Sequence, residues 1–255
     1  MTDSEHIQQW DRWQRRAEKK HFAAIRAAIK AQFAQFFERG SVEDITSTGL
    51  AAPLLTLRKD AAVSWGHTVL IGLRQYKAMR PMGFSQRIYE LLRDYFGIDL
   101  LNDSEDITDT TREYIRRALT EGAANGQGID AVIEQMRKDV PELSKRRAAV
   151  IARTETVGAA NKAAVAVAKD SVLVLDKKWL SVHDKRTRRD HVLEDGKTVG
   201  LDEYFNVGGY DMLQPGDRGG KDGKPKVPGK ETIQCRCTLA LLPKSDGRGG
   251  YVRKG

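Results

Sequence analysis

The feature that most limits how this chain can fold is a change of rhythm at Ser171. Before it, apolar residues recur every three or four positions; after it, β-branched runs alternate with Gly- and Pro-rich stretches. From Trp10 to Phe37 the apolar positions are Trp13, Ala17, Phe22, Ile25, Ile29, Phe33 and Phe36, which is the period of one helix face. Gly40 is placed to stop that helix. The same reading predicts helices over 62–80 (ended by Pro81), over Phe84 to Tyr95 (ended by Gly97), and from Tyr114 to Leu119 behind N-cap candidates between Asp103 and Thr111. A short helix follows from Gly128 to Arg137. Pro141 is then expected to break the chain before a long helix capped by Ser144 and running to Asp170.

Beyond Ser171, VLVLDKKWLSV reads as an extended strand. Asp195-Gly196 lies between HVLE and KTVGL and reads as a tight hairpin turn, because the primed turns need positive φ. Residues 208–229 form a Gly/Lys/Pro-rich stretch expected as a long loop. QCRCTLALLP is a final short strand, and residues 244–255 read as a flexible basic tail. The expected class is α+β: a mainly helical N-terminal part, then a small α+β domain with a long helix and a short antiparallel sheet. The expected division is 1–100, 101–243 and 244–255, with the second region folding without the first.

Charge is unevenly placed. Residues 218–255 hold ten Lys/Arg against three Asp/Glu, out of a net +8 for all 255 residues. The body is nearly neutral, so the cationic end is either a solubilising segment or a contact for phosphate or an acidic surface. Lys221, Lys224, Lys226 and Lys230 are the candidates. They lack interleaved aromatics, so any DNA binding there would be to the backbone, without sequence preference. No apolar run is long enough to span a membrane and the first residues have no signal-peptide core, which leads to an expectation of synthesis in the cytoplasm.

Cys235 and Cys237 are the only cysteines. One intervening residue makes a bridge between them strained, so a metal pair or two small buried hydrophobes are the readings left open. His183, Asp184 and His191 cluster upstream, and with Glu194 or Asp195 they are the residue types a metal-dependent nuclease would use. No nuclease signature of fixed spacing accompanies them. On the long helix, Thr154, Val157, Gly158, Asn161 and Val165 share one face. Gly158 there admits a close backbone, and Asn161 demands a buried partner. Arg153 and Glu155 point away from that face. They read as packing residues or, alternatively, as ligand contacts without any phosphate-cradling loop. Trp179 and Phe205 read as core.

Three blocks carry a family resemblance: AAVIARTETVGAANKAA (148–164), KKWLSVHDKRTRRDHVLEDGKTV (177–199), and the trio DEYF (202–205), QPGD (214–217) and QCRC (234–237). In order and spacing they resemble the phage Mu F-like minor head proteins, over roughly residues 105–243. The residues that carry it include Arg153, Thr154, Glu155, Thr156, Asn161, Trp179, Asp184, Arg188, Asp195 and Gly196. The resemblance implies a non-catalytic virion component in the head, associated with the portal or the major capsid protein and aiding head assembly, DNA packaging or DNA delivery. It also implies a zinc clip, since some relatives place Cys where Arg188 and His191 stand here. This chain would then offer His191, Cys235 and Cys237, with His183 or Asp184 as a fourth ligand. A nuclease and a zinc-stabilised nucleic-acid-binding module are the competing readings.

Overall fold

The computed structural model describes residues 1–74, 84–220 and 223–254. The chain is α+β. Its helices are α1 (Asp3–Arg39), α2 (Thr48–Arg74), α3 (Phe84–Leu91), α4 (Arg93–Phe96), α5 (Ile98–Ala124) and α6 (Ile129–Asp170). Then come β1 (Leu175–Leu180), α7 (Arg189–Glu194), β2 (Thr198–Gly200), β3 (Phe205–Val207), β4 (Tyr210–Met212), α8 (Gly229–Thr232) and β5 (Thr238–Pro243). A three-stranded antiparallel sheet has the order β2-β1-β5, and β3 and β4 pair by themselves.

Gly40 ends α1 as expected: it sits at φ +76°, where a side chain would be strained, and its amide caps Phe36. The predicted end of the second helix at Pro81 lies outside the described residues, whereas its start is earlier than predicted, at Thr48. Two expected breaks do not occur. The candidate caps before Tyr114 lie inside α5, where the Ser104 and Thr108 hydroxyls bond back to the carbonyls of Leu100 and Ser104 at 2.7 and 2.8 Å. Likewise Pro141 sits inside the 42-residue α6. Proline removes one helix hydrogen bond, but Val140 and Ala148 on either side of it are buried in a core, which offsets that loss.

The described chain divides into two compact units that do not follow chain order. The first is Met1–Glu18, Arg58–Arg93 and Arg153–Gly255; the second is Lys19–Leu57 and Asp94–Ala152. Residues 1–100 supply segments to both units. The second unit is helical, with a core of Ile25, Ile29, Phe33, Phe36, Leu50, Leu54, Ile115 and Met136. A buried polar knot crosses it: Gln32 donates to Thr108 at 2.7 Å and accepts from Thr111 at 2.8 Å. The first unit holds both sheets, and its core includes Trp10, Trp65, Val157, Trp179, Phe205, Met212 and Leu239.

In the first unit Asp195-Gly196 is not a hairpin turn. HVLE is helical rather than extended, because His191 and Glu194 are both buried on one side of α7. Gly196 still needs its φ of +76° there, turning the chain from α7 into β2 while its amide bonds Trp179. The 244–254 segment, expected as a frayed tail, turns back instead. Val174 donates to Val252 at 2.9 Å, and Lys254 donates to Val172 at 2.8 Å.

Candidate functional site

The geometry of the site is organised around one short piece of chain, Gln234 to Thr238, which joins α8 to β5. Gln234 has φ +60°, unusual for a residue with a side chain. It is held in that shape from α6: the Thr154 hydroxyl accepts its amide at 3.0 Å, and Arg153 donates to its side-chain oxygen at 3.3 Å. Two turns along α6, Asn161 donates to the Cys237 carbonyl at 3.1 Å and accepts from the Thr238 hydroxyl at 3.2 Å. Arg153 also pairs with Glu18 at 3.1 Å.

From the other side comes the 181–195 segment. Arg236, between the two cysteines, donates to Asp184 at 2.6 Å through Nη1 and again through Nη2. That guanidinium holds the Asp184 carboxyl well below the usual carboxylate range. The backbone carbonyl of Arg236 accepts the Trp10 indole N–H at 2.7 Å. Arg188 donates to the Ile233 carbonyl.

Cys235 and Cys237, both free and buried, turn their sulfurs toward His191 on α7. Its Nδ1 lies 3.4 Å from the Cys237 sulfur and 3.6 Å from that of Cys235. The three ligand atoms lie within 4.8 Å of one another, and the residues are the one such group among the described residues. Behind the ring, His191 Nε2 lies 3.3 Å from a buried Glu231 oxygen, a distance that fits an ion pair although the angle is off for a hydrogen bond. Hydrogen bonds from Cys237 and His191 hold the Cys235 thiol well below its ordinary value. Its partner Cys237, hydrogen-bonded to Cys235 and desolvated, is pushed well above. Burial opposes protonation of His191, yet the neighbouring Cys235 outweighs it and raises the imidazole. This donor set suits a thiophilic ion: two sulfurs and one imidazole nitrogen, with a carboxylate placed to fix the ring.

The remaining predicted residues fall elsewhere. His183 does not join the cluster; it sits at φ 56° and pairs with Asp195 at 2.5 Å. Asp195 also caps the Ser181 amide at 2.7 Å. Asp184 is taken up by Arg236, and Glu194 by Lys197 at 2.7 Å. Of the groups offered for a nuclease, His183 and Asp195 pair with each other, while Asp184, His191 and Glu194 each go to a different partner. Glu155 is buried between Arg58 and Arg218. Thr156 is fully buried, and Trp179 packs edge-on against His191 and Phe205, with ring centres at 5.5 and 5.2 Å. Lys224 pairs with Asp211 at 2.7 Å, and Lys230 lies 3.7 Å from Glu231. The Lys226 backbone bridges to Gly219, and Lys221 lies outside the described residues. Sequence reasoning missed Arg236, Glu231, Gln234, Arg58 and Arg218 as parts of the site. Only Arg236 carried a hint, as the residue flanked by both cysteines.

Gly158 and Gly216 mark a contact of backbone on backbone. A Cβ on Gly216, which has φ +80°, would lie 3.0 Å from the Gly158 Cα. Gly216→Ala is expected to cost about 1–3 kcal/mol, since both strain and overlap are with backbone. Urea unfolding followed by tryptophan fluorescence checks this, and an unchanged midpoint would contradict the close approach.

Against known proteins, residues 113–240 match the family described as "Phage Mu protein F like protein". The chain is 31% identical over 139 residues to "Uncharacterized protein YqbB" of Bacillus subtilis (strain 168), covering 53% of this chain and 43% of that one. It is 31% identical over 148 residues to "Minor head protein GP7" of Bacillus phage SPP1, covering 55% and 43%. It is 29% identical over 149 residues to "NAD(+)--arginine ADP-ribosyltransferase EFV" of Enterococcus faecalis (strain ATCC 700802 / V583), covering 57% and 28%. The aligned part is less than half the length of each of these relatives. No solved structure matches the chain, and no described helix is long and apolar enough to cross a membrane. The match spans half the chain, takes in all three sequence blocks, and places this protein in the phage Mu protein F-like family.

Proposed function

We propose that this protein is a structural component of a tailed-phage head, docking to the portal or the major capsid protein and acting without turnover. One observation carries the reading. The polar residues of the family blocks are spent on holding residues 234–238: Arg153, Thr154 and Asn161 from α6, Asp184 and His191 from the opposite side. Side chains so engaged hold that segment in one shape, which is what a docking surface needs. The minor head name of the SPP1 relative and the family match support the same reading. The test is deletion in the parent phage. Particles should lose the protein from the head, and the yield of filled heads should fall. The purified full chain should neither cleave plasmid DNA nor release nicotinamide from NAD+. Turnover of either substrate, abolished by His191→Ala, would sink the structural reading.

His191, Cys235 and Cys237 would hold a zinc ion in this arrangement, tying α7 to the segment ahead of β5 and so stabilising the small β part. Glu231 would fix the imidazole so that Nδ1 faces the ion. Purified full chain is expected to carry about one zinc per molecule. Glu231→Gln should weaken zinc binding about 10–100-fold, as for other carboxylates behind a metal-binding histidine. Competition with a chromophoric chelator measures both. A metal-free protein with an unchanged melting curve in excess zinc would refute the clip.

A further inference from the structure

Two exposed faces of the chain carry opposite charge, and each has aliphatic side chains at its centre. The first is formed by α7 and its flanks. Because α7 turns His191 and Glu194 inward, Arg189, Val192 and Leu193 share its outer side at helical spacing. Val192 and Leu193 are 52% and 58% exposed, and Ile233, drawn to the start of α7 by Arg188, is 44% exposed. Around them stand Lys185, Arg186, Arg188 and Arg189, four cations in five residues, and the exposed Lys230. Asp184 offsets them only in part, since Arg236 binds both of its oxygens while Arg186 reaches one at 3.3 Å.

The second face begins α5. Ile98 and Leu101 are 58% and 56% exposed. Glu105, Asp109 and Glu113 continue their side at steps of four, with the exposed Asp106 beside them. Between Ile98 and Glu113 the sequence has six acids, of which Asp103 is buried, against one base, Arg112, which pairs with Glu105 and Asp109.

Scattered exposed aliphatics need no explanation, but grouped ones inside a charged ring have the anatomy of a protein contact. A phosphate backbone would leave Val192, Leu193 and Ile233 without apolar partners. We propose that the α7 face of one copy docks on the α5 face of a second copy, with Val192 and Leu193 against Ile98 and Leu101. Lys185, Arg186 and Arg189 then meet the acids of α5. The two faces differ, so the contact is heterologous and leaves each copy with one unused face. This does not rest on the head assignment: particles lacking the protein would end that reading and leave the association standing.

Sedimentation velocity of the full chain tests it. The weight-average mass of the wild type should rise with concentration and fall with added salt, which screens the charged ring. Leu193→Glu and Leu101→Lys, both at exposed positions, should each weaken self-association at least about tenfold. Circular dichroism should show the fold retained in each. Their equimolar mixture should form a heterodimer and nothing larger, since each variant brings one intact face. A wild type monomeric at all concentrations and salts would overturn the proposal. So would a single variant that associates like the wild type, or a mixture that stays monomeric. A wild type that binds duplex DNA through this face, with Arg189→Glu losing that binding while its mass distribution is unchanged, would assign the surface to nucleic acid instead.

Discussion

Glu155→Ala is expected to destabilise the first unit by about 3–5 kcal/mol, the usual cost of leaving one partner of a buried ion pair alone. Arg58 and Glu155 are 0% and 2% exposed at the side chain and lie 2.6 Å apart, while Arg218 reaches the other Glu155 oxygen from a partly exposed position. Removing the carboxylate takes away the negative charge that faces the buried Arg58 guanidinium at 2.6 Å. Arg218→Ala should cost less, because it takes away the partner that water already reaches. The effect is also linked to pH. Burial by itself would raise the Glu155 pKa, but Arg58 and then Arg218 reverse this, and the carboxyl titrates below its ordinary value. A lowered folded-state pKa means the stabilisation is complete above the unfolded value of about 4.3 and is lost as pH falls through the folded value. Urea midpoints measured at neutral pH and on the acid side should therefore converge for wild type and Glu155→Ala. A gap of constant size down to strongly acidic pH would show that the pair is not the source of the difference.

Trp10→Ala should be comparably damaging, about 3–5 kcal/mol for a large aromatic removed from a packed site. Trp10 is fully buried and packs against Trp13 and Trp65, with ring centres at 5.2 and 4.8 Å. Its indole N–H also satisfies the Arg236 carbonyl, which would be left without that donor. A helix from the first residues thereby holds the segment that carries both cysteines. For the same reason a fragment beginning at residue 104 lacks Trp10, Arg58 and Trp65 and is expected to show no cooperative transition, contrary to the division suggested by the family blocks. Urea unfolding of the full-length variant and of that fragment checks both statements. A fragment with a sharp transition near that of the full chain would overturn the second.

What was legible in the sequence was whatever a local rule controls. Periodicity showed the helices, Gly40 and Gly196 marked positive φ, and short apolar runs located β1 and β5. The face of α6 bearing Gly158 and Asn161 was readable too, because a glycine and a buried amide on one stripe require a close backbone and a polar partner. The partners themselves, Gly216 and the Cys237 carbonyl, were not readable, since they arrive from 58 and 76 positions away. Local rules also misled where tertiary packing overrode them. Pro141 signals a break, yet its helix continues through a buried stretch, and HVLE looks like a strand until His191 is drawn toward the two cysteines. At the site, the ligand types were visible while the pairing of Asp184 with Arg236 and of His183 with Asp195 was not. Charge partners have no periodicity to betray them.

The order of segments in the two units has a consequence for synthesis on the ribosome. The second unit is complete once Ala152 has emerged, whereas the first needs Met1–Glu18 to wait for Arg153–Gly255. Translation at about 5–20 residues per second separates those moments by several seconds. During that interval the helical unit can close on local contacts. Trp10 and Trp13, meanwhile, have no sheet to pack on. The nascent chain then presents a tryptophan-bearing helix to solvent until β5 is made, and that is the stage at which a chaperone, or a neighbouring nascent copy, would find it.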